Sequence, residues 1–181
     1  PYSLFKKLFL IFKKEINEYR YPLKKRYSCL IDTYIKCNLN EDRHLHMNSL
    51  NEILLSLGFK KYNELEGMYS EHLLIFAAVA KSNNQIRNIL EIGTHNGKTA
   101  CILARLFPMA NITTIDLKDN DPTFKETYSR ESNFKSFIKG RNNLLSKEKN
   151  TNFIQMNSLE LSSLKKSFPS QDLIWVDGAQ G

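Results

Sequence analysis

The sequence predicts an α/β fold: a doubly wound, mostly parallel sheet with helices on both faces, preceded by an N-terminal helical segment. Three observations carry that reading. From residue 86 onward, short apolar runs at 86–92, 112–117, 153–156 and 173–177 alternate with amphipathic stretches at 97–107, near 134–145 and at 159–168. The short runs are dominated by β-branched and other apolar residues, as expected of strands buried on both faces of a parallel sheet. Each run ends in glycine or a polar residue, and in an open α/β sheet such strand ends line one ligand-binding edge.

The elements follow in order. In residues 3–20, Leu4, Phe5, Leu8, Phe9, Phe12 and Ile16 recur at helical spacing with lysines on either side. Such a helix packs on its own domain or on a partner subunit, which would make a homo-oligomer. A second reading lays it on an anionic membrane as a peripheral contact. A helix is expected from Ser49 to about Phe59. Ser49 and Glu52 have capping-box spacing, Leu50, Ile53, Leu54 and Leu57 form the buried face, and Gly58 stands at the C-terminal cap. His44 and His46 fall in a polar linker and are expected to be solvated. The polar segment 60–69 leads to a helix starting at Ser70, and Pro108 stops the helix at 97–107. The expected division is an N-terminal helical region at 1–60 and a ligand-binding α/β domain at 61–181.

The 181 residues are 41% apolar and 25% charged, enough for one globular domain with a small appendage. That balance excludes a collagen-like chain and a wholly disordered tail. Cys29, Cys37 and Cys101 are too few and too scattered for a disulfide framework, which favours a reducing, cytoplasmic setting. No apolar run approaches the length of a membrane span. The net charge is +7, but residues 1–26 alone hold eight basic and two acidic side chains. The rest of the chain is near neutral, so no DNA-binding footprint is expected on the domain.

The functional signal lies at the strand ends. The first strand runs into Glu91-Ile92-Gly93-Thr94-His95-Asn96-Gly97 and then a helix, an acid-x-Gly-x-x-x-Gly turn. Its glycines admit close approach of backbone to a ligand, and the helix behind adds exposed N–H groups. The second strand ends in Asp116, 25 residues after Glu91. A carboxylate there can accept from both hydroxyls of a ribose. The third strand ends in Asn157-Ser158 and the fourth in Asp177-Gly178. Two rival motifs fit less well. A phosphate loop needs four residues between its glycines, whereas three separate Gly93 from Gly97. A dinucleotide fingerprint needs glycine where His95 stands, which weakens an NAD-binding reading.

With these residues in view, the chain resembles a class I S-adenosylmethionine-dependent methyltransferase over residues 66–181. The run Leu173-Ile174-Trp175-Val176-Asp177-Gly178 is similar to the small-molecule O-methyltransferase branch. The resemblance implies a Rossmann-like domain with S-adenosylmethionine as cofactor. It implies a cofactor site of Glu91, Gly93, Thr94, Gly97, Asp116, Leu117, Asn157, Ser158 and Asp177, with Asp116 on the ribose and Asn157-Ser158 at the adenine edge. It also implies that the helix start at 67–71 closes over the methionine end of the cofactor. Two positions depart from the pattern: Asn157 stands where the family usually has Asp, and Gln180 where many relatives have His.

The acceptor is then an oxygen of a small molecule or a sugar-like compound. The Asp-Gly-Ala-Gln ending at 177–180 lacks the proline-rich run of nucleobase N-methyltransferases. Removing the acceptor proton needs a base or a metal. Asp177 is the candidate catalytic residue, as base or as ligand. No second ligand for a divalent metal can be named. His95 and His72 are weaker candidates for the site. The alternative function is a noncatalytic nucleoside-binding or scaffold module. The family's sheet has seven strands, whereas four are legible here. The fourth would be a bare apolar edge whose Trp175 needs cover. The sheet is therefore expected to be incomplete at the C-terminus of this sequence.

Overall fold

A computed structural model describes residues 42–63, 72–82, 85–127, 133–164 and 169–177. The expected helix at 3–20, the start of the helix at Ser70 and residues 178–181 lie outside the described residues.

Helix α1 spans Arg43–Ser56. It begins six residues before the expected Ser49, because Asp42 is the cap: its carboxylate accepts from the Leu45 N–H at 3.0 Å. Ser49 sits inside the helix and caps nothing. His46, Leu50 and Leu54 lie at successive four-residue steps on the buried face. His46 is therefore fully buried rather than solvated, and burial lowers its pKa. At the other end the Gly58 N–H reaches the Leu55 carbonyl and the Phe59 N–H the Leu54 carbonyl. Gly58 has φ +79°. This is the Schellman arrangement, and it ends the helix where the glycine was expected to.

The following elements are α2 (His72–Ser82), β1 (Asn88–Ile92), α3 (Lys98–Leu106), β2 (Asn111–Asp116), α4 (Pro122–Glu126), α5 (Phe134–Leu145), β3 (Thr151–Gln155) and β4 (Leu173–Val176). Between β3 and β4 the chain makes 3-10 turns over Ser158–Leu164, where the sequence suggested a regular helix. The Asn157 side-chain oxygen accepts from the Leu159 N–H at 3.0 Å and so starts the segment as a tight turn.

The four strands form one parallel sheet in the order β3-β2-β1-β4. One face carries Ile89, Ile112, Leu173 and Trp175, and it packs against α1, α2 and α3 in the main core. Helix α5 covers the same side through Leu145, which packs with Phe153 of β3 in one cluster. The opposite face holds a smaller cluster of Leu90, Ile115 and Met156, with Ile92, Ile154 and Leu161 against it. The chain reaches this second face through the β3–β4 connection. Strand order reverses between β1 and β4, so the crossover changes sides.

At the β4 edge, Trp175 stacks on the His72 ring at 4.3 Å and meets Phe76 edge-on at 5.4 Å. That contact supplies the cover Trp175 was expected to need. Ile174 and Val176, on the opposite face, are 57% and 63% exposed. Two polar clamps fix the frame. The Asp172 carboxylate accepts from the Arg87 and Asn88 N–H groups at 2.8 and 2.9 Å, joining the starts of β4 and β1. Asn150 Nδ2 faces the carbonyls of Ala104, Phe107 and Ala110 at 3.0–3.3 Å, tying the end of α3 to the entry of β3.

Candidate functional site

The C-terminal ends of all four strands border one cavity of about 380 Å³. Its lining includes Ile92 and Gly93 after β1, Asp116 and Leu117 after β2, Asn157 and Ser158 after β3, and Asp177 after β4. The strand-end residues singled out in the sequence thus converge, as a parallel sheet requires.

The turn after β1 is set by three left-handed residues: Gly93 (φ +104°), His95 (φ +48°) and Gly97 (φ +78°). Only His95 pays a side-chain penalty for this. Its N–H donates to the Asp116 carboxylate at 2.7 Å, which offsets the strain. The other Asp116 oxygen accepts from the Leu117 N–H at 2.9 Å. Each oxygen keeps acceptor capacity after one such bond. Asp116 is therefore a fixed acceptor pair at the cavity rim.

Gly93 lines the cavity, but Gly97 does not. A Cβ at Gly97 would lie 3.0 Å from Leu145 Cγ. Gly97 is needed for close packing of the turn on α5 and for its left-handed backbone. Thr94 is also absent from the lining: it is 2% exposed, and its hydroxyl bonds the Thr114 hydroxyl at 2.6 Å. Thr114 is in turn hydrogen-bonded to Glu91 Oε2 at 2.5 Å. Glu91 is 1% exposed and lies beneath the turn rather than on the cavity wall. Burial pushes its carboxyl up to about 8, with nearby Asp177 and Asp116 adding to the rise and the Thr114 hydrogen bond opposing it.

Asp177 stands exposed at the mouth, its N–H bonded to the Ile92 carbonyl at 2.8 Å. Loss of water at the rim raises its pKa, and His95 pulls it back. The Asn157 side-chain oxygen accepts from the Leu159 N–H and keeps a second lone pair, and its amide hydrogens are donors it can offer a ligand. His72 is remote from the cavity lining, against Trp175, where burial lowers its pKa to about 4. Among the described residues no three His, Cys, Asp or Glu side chains group as metal ligands.

The sequence reading missed one wall. Asp121, Thr123, Phe124 and Thr127, from α4 and its flanks, also line the cavity. The available signal was Asp121-Pro122, an N-cap followed by proline at the first helical position. It also missed the brace behind that wall. Arg141 on α5 is 1% exposed and holds Asp119 through two hydrogen bonds of 2.9 and 3.0 Å. Its guanidinium lies 4.5 Å from the Phe153 ring and 5.8 Å from Phe124. The loop between β2 and α4 is thereby anchored to α5.

No protein-family model matches the chain, and no curated protein does. Solved structures do align with it. One is the O-methyltransferase TomG from Streptomyces achromogenes, involved in tomaymycin synthesis and crystallised with SAM. It shows 19% identity and a TM-score of 0.44 over 82% of this chain and 59% of that one. Another is the SAH-bound Podospora anserina methyltransferase PaMTH1, with 18% identity and a TM-score of 0.41 over 82% and 56%. The chain thus spans less than two thirds of the length of these structures.

Proposed function

We propose that the chain is a class I S-adenosylmethionine-dependent methyltransferase whose acceptor is an oxygen of a small molecule or a sugar-like compound. One observation carries the reading: Asp116 is held as a rigid acceptor pair on a cavity that, among the described residues, is lined by three carboxylates and by no lysine or arginine. Such a cavity suits a ribose with a cationic substituent. It suits a dinucleotide poorly, because a pyrophosphate would face Asp116, Asp121 and Asp177 with no counter-charge among the described residues.

The left-handed Gly93, which lines the cavity without a side chain, fits a nucleoside lying over the turn. Asp116 binds its two ribose hydroxyls. Leu117, Met156 and Leu159 supply apolar surface for the base, and the Asn157 amide and Ser158 hydroxyl face its polar edge. When bound, S-adenosylmethionine supplies an already activated methyl group, so the protein's task is chiefly orientation. Asp177, at the open mouth, takes the proton of the acceptor hydroxyl. A cytoplasmic setting, and assembly or, as the second reading, peripheral membrane contact through the amphipathic sequence at about residues 3–20, belong to this proposal as well. No helix among the described residues is long and apolar enough to cross a membrane.

Calorimetry on the purified chain tests the cofactor. S-adenosylhomocysteine should bind and NAD should not. Asp116→Ala should weaken S-adenosylhomocysteine about 100-fold, the loss of two charge-assisted hydrogen bonds. Equal affinity in that variant refutes the ribose assignment. Transfer of a labelled methyl group to a panel of catechol, phenol and sugar acceptors then separates an enzyme from a noncatalytic module.

A further inference from the structure

We propose that Glu91, Thr114 and Thr94 form a positioning relay, in which Glu91 acts through two buried hydroxyls to fix the turn at 93–97. The inference rests on the methyltransferase reading only for what lies over that turn; the relay itself is a property of the folded chain.

The relay crosses three pieces of backbone. Glu91 and Thr114 are register partners on adjacent strands, and Thr94 belongs to the turn. All three side chains are at most 2% exposed. Their contacts run Glu91 Oε2 to Thr114 Oγ1 at 2.5 Å and Thr114 Oγ1 to Thr94 Oγ1 at 2.6 Å. The turn has few other anchors to the sheet. The Gly93 and Thr94 N–H groups share the Ile115 carbonyl at 2.8 and 3.3 Å, and the His95 N–H meets Asp116. The Thr94 hydroxyl is thus a buried side-chain tether between the turn and β2, beside the Asp116 carboxylate that holds the His95 N–H.

Each threonine hydroxyl has one proton to donate, so the chain has a direction. With Glu91 ionised, Thr94 donates to Thr114 and Thr114 donates to Glu91. With Glu91 protonated on Oε2, the direction reverses. Glu91 then donates to Thr114, Thr114 donates to Thr94, and the Thr94 proton turns to another acceptor. The surroundings favour the protonated form, because Oε1 is buried with no hydrogen-bond partner among the described residues. The titratable groups facing Glu91 are Asp116 at the end of β2, Asp177 after β4 and Cys101 on α3. The first two oppose a second negative charge. Cys101, pushed up to about 12 by burial, stays neutral throughout.

The relay is tested by nuclear magnetic resonance on the full chain, without ligand. The Glu91 carboxyl carbon and the amides of residues 93–97 are followed across the interval around pH 8. In the wild type, both sets should titrate with one shared midpoint. Glu91→Gln should remove from the turn amides the transition they share with the carboxyl. Thr114→Val should let the carboxyl titrate while the turn amides no longer follow it. Thr94→Val cuts the other joint and should behave alike, which keeps the test decisive if one variant fails to fold. Wild-type turn amides that ignore the Glu91 midpoint overturn the relay. So do turn amides that still follow the carboxyl after Thr114→Val, since coupling would then act through space. S-adenosylhomocysteine affinity is read separately, and Thr114→Val should lower it roughly tenfold, the worth of one buried hydrogen bond. A wild type that binds no S-adenosylhomocysteine defeats the methyltransferase reading and leaves the titration outcome intact.

Discussion

A carboxyl group buried beside a single hydroxyl does not ionise where a free glutamate does, and Glu91 carries that cost for the whole fold. The unfolded chain releases this proton near the ordinary value of 4.5, whereas the folded chain keeps it to about 8. Between those two values the folded state binds more protons than the unfolded one. Stability contributed by this group is therefore fully present below the lower value, falls as pH rises through the window, and levels off above it. The slope is roughly 1.4 kcal/mol for each pH unit. Glu91→Gln should remove this part of the pH dependence, measured by urea denaturation at a series of pH values. An unchanged slope in the variant would mean that Glu91 ionises normally in the fold. Glu91 was singled out in the sequence by its place in the glycine motif, but its burial was not legible there. A strand-end acid can face a cavity or lie beneath it, and the register with Thr114 decides which. Asp116, at the end of its own strand, came out on the rim.

Two glycines with nearly the same backbone separate local from tertiary causes at the scale of elements. Gly58 and Gly97 have φ +79° and +78°, and each sits at a helix terminus. A Cβ at Gly58 would meet nothing within 4 Å, whereas one at Gly97 would press on Leu145 Cγ at 3.0 Å and Cδ2 at 3.1 Å. Gly58→Ala should cost about 1 kcal/mol, the left-handed strain alone. Gly97→Ala should cost about 2 kcal/mol or more, since Leu145 must also move. Denaturant midpoints of the two variants check this, and equal losses would remove the packing role of Gly97. The helix at 134–145 was legible from its apolar spacing, and the four strands from short apolar runs that alternate with helical stretches. The start of α1 was not. Ser49-x-x-Glu52 has cap spacing, but Asp42 lies nearer the true start and extends the buried stripe to His46. Helix α4 escaped because one turn carries too few residues to show a period.

Across the whole molecule the two faces of the sheet bear unequal loads. Ile112 is fully buried against the helices, whereas Ile154 is only partly buried on the thinner face. Ile112→Ala should cost roughly 3 kcal/mol and Ile154→Ala about 1 kcal/mol. Denaturation curves that rank them otherwise would place the main core on the wrong side. The same asymmetry leaves Ile174 and Val176 exposed beside Leu90 and Ile92. By itself the sequence determined the alternation of strands and helices, the glycine turn, and the acids at the ends of β1 and β2. These are set by local periodicity and by backbone conformations that few residues can adopt. Only the tertiary structure decided which of those acids reaches the cavity, that α4 and the Arg141–Asp119 brace build one of its walls, and that Thr114 links Glu91 to the turn. Those facts depend on strand register and on contacts between residues twenty or more positions apart, which no local pattern records.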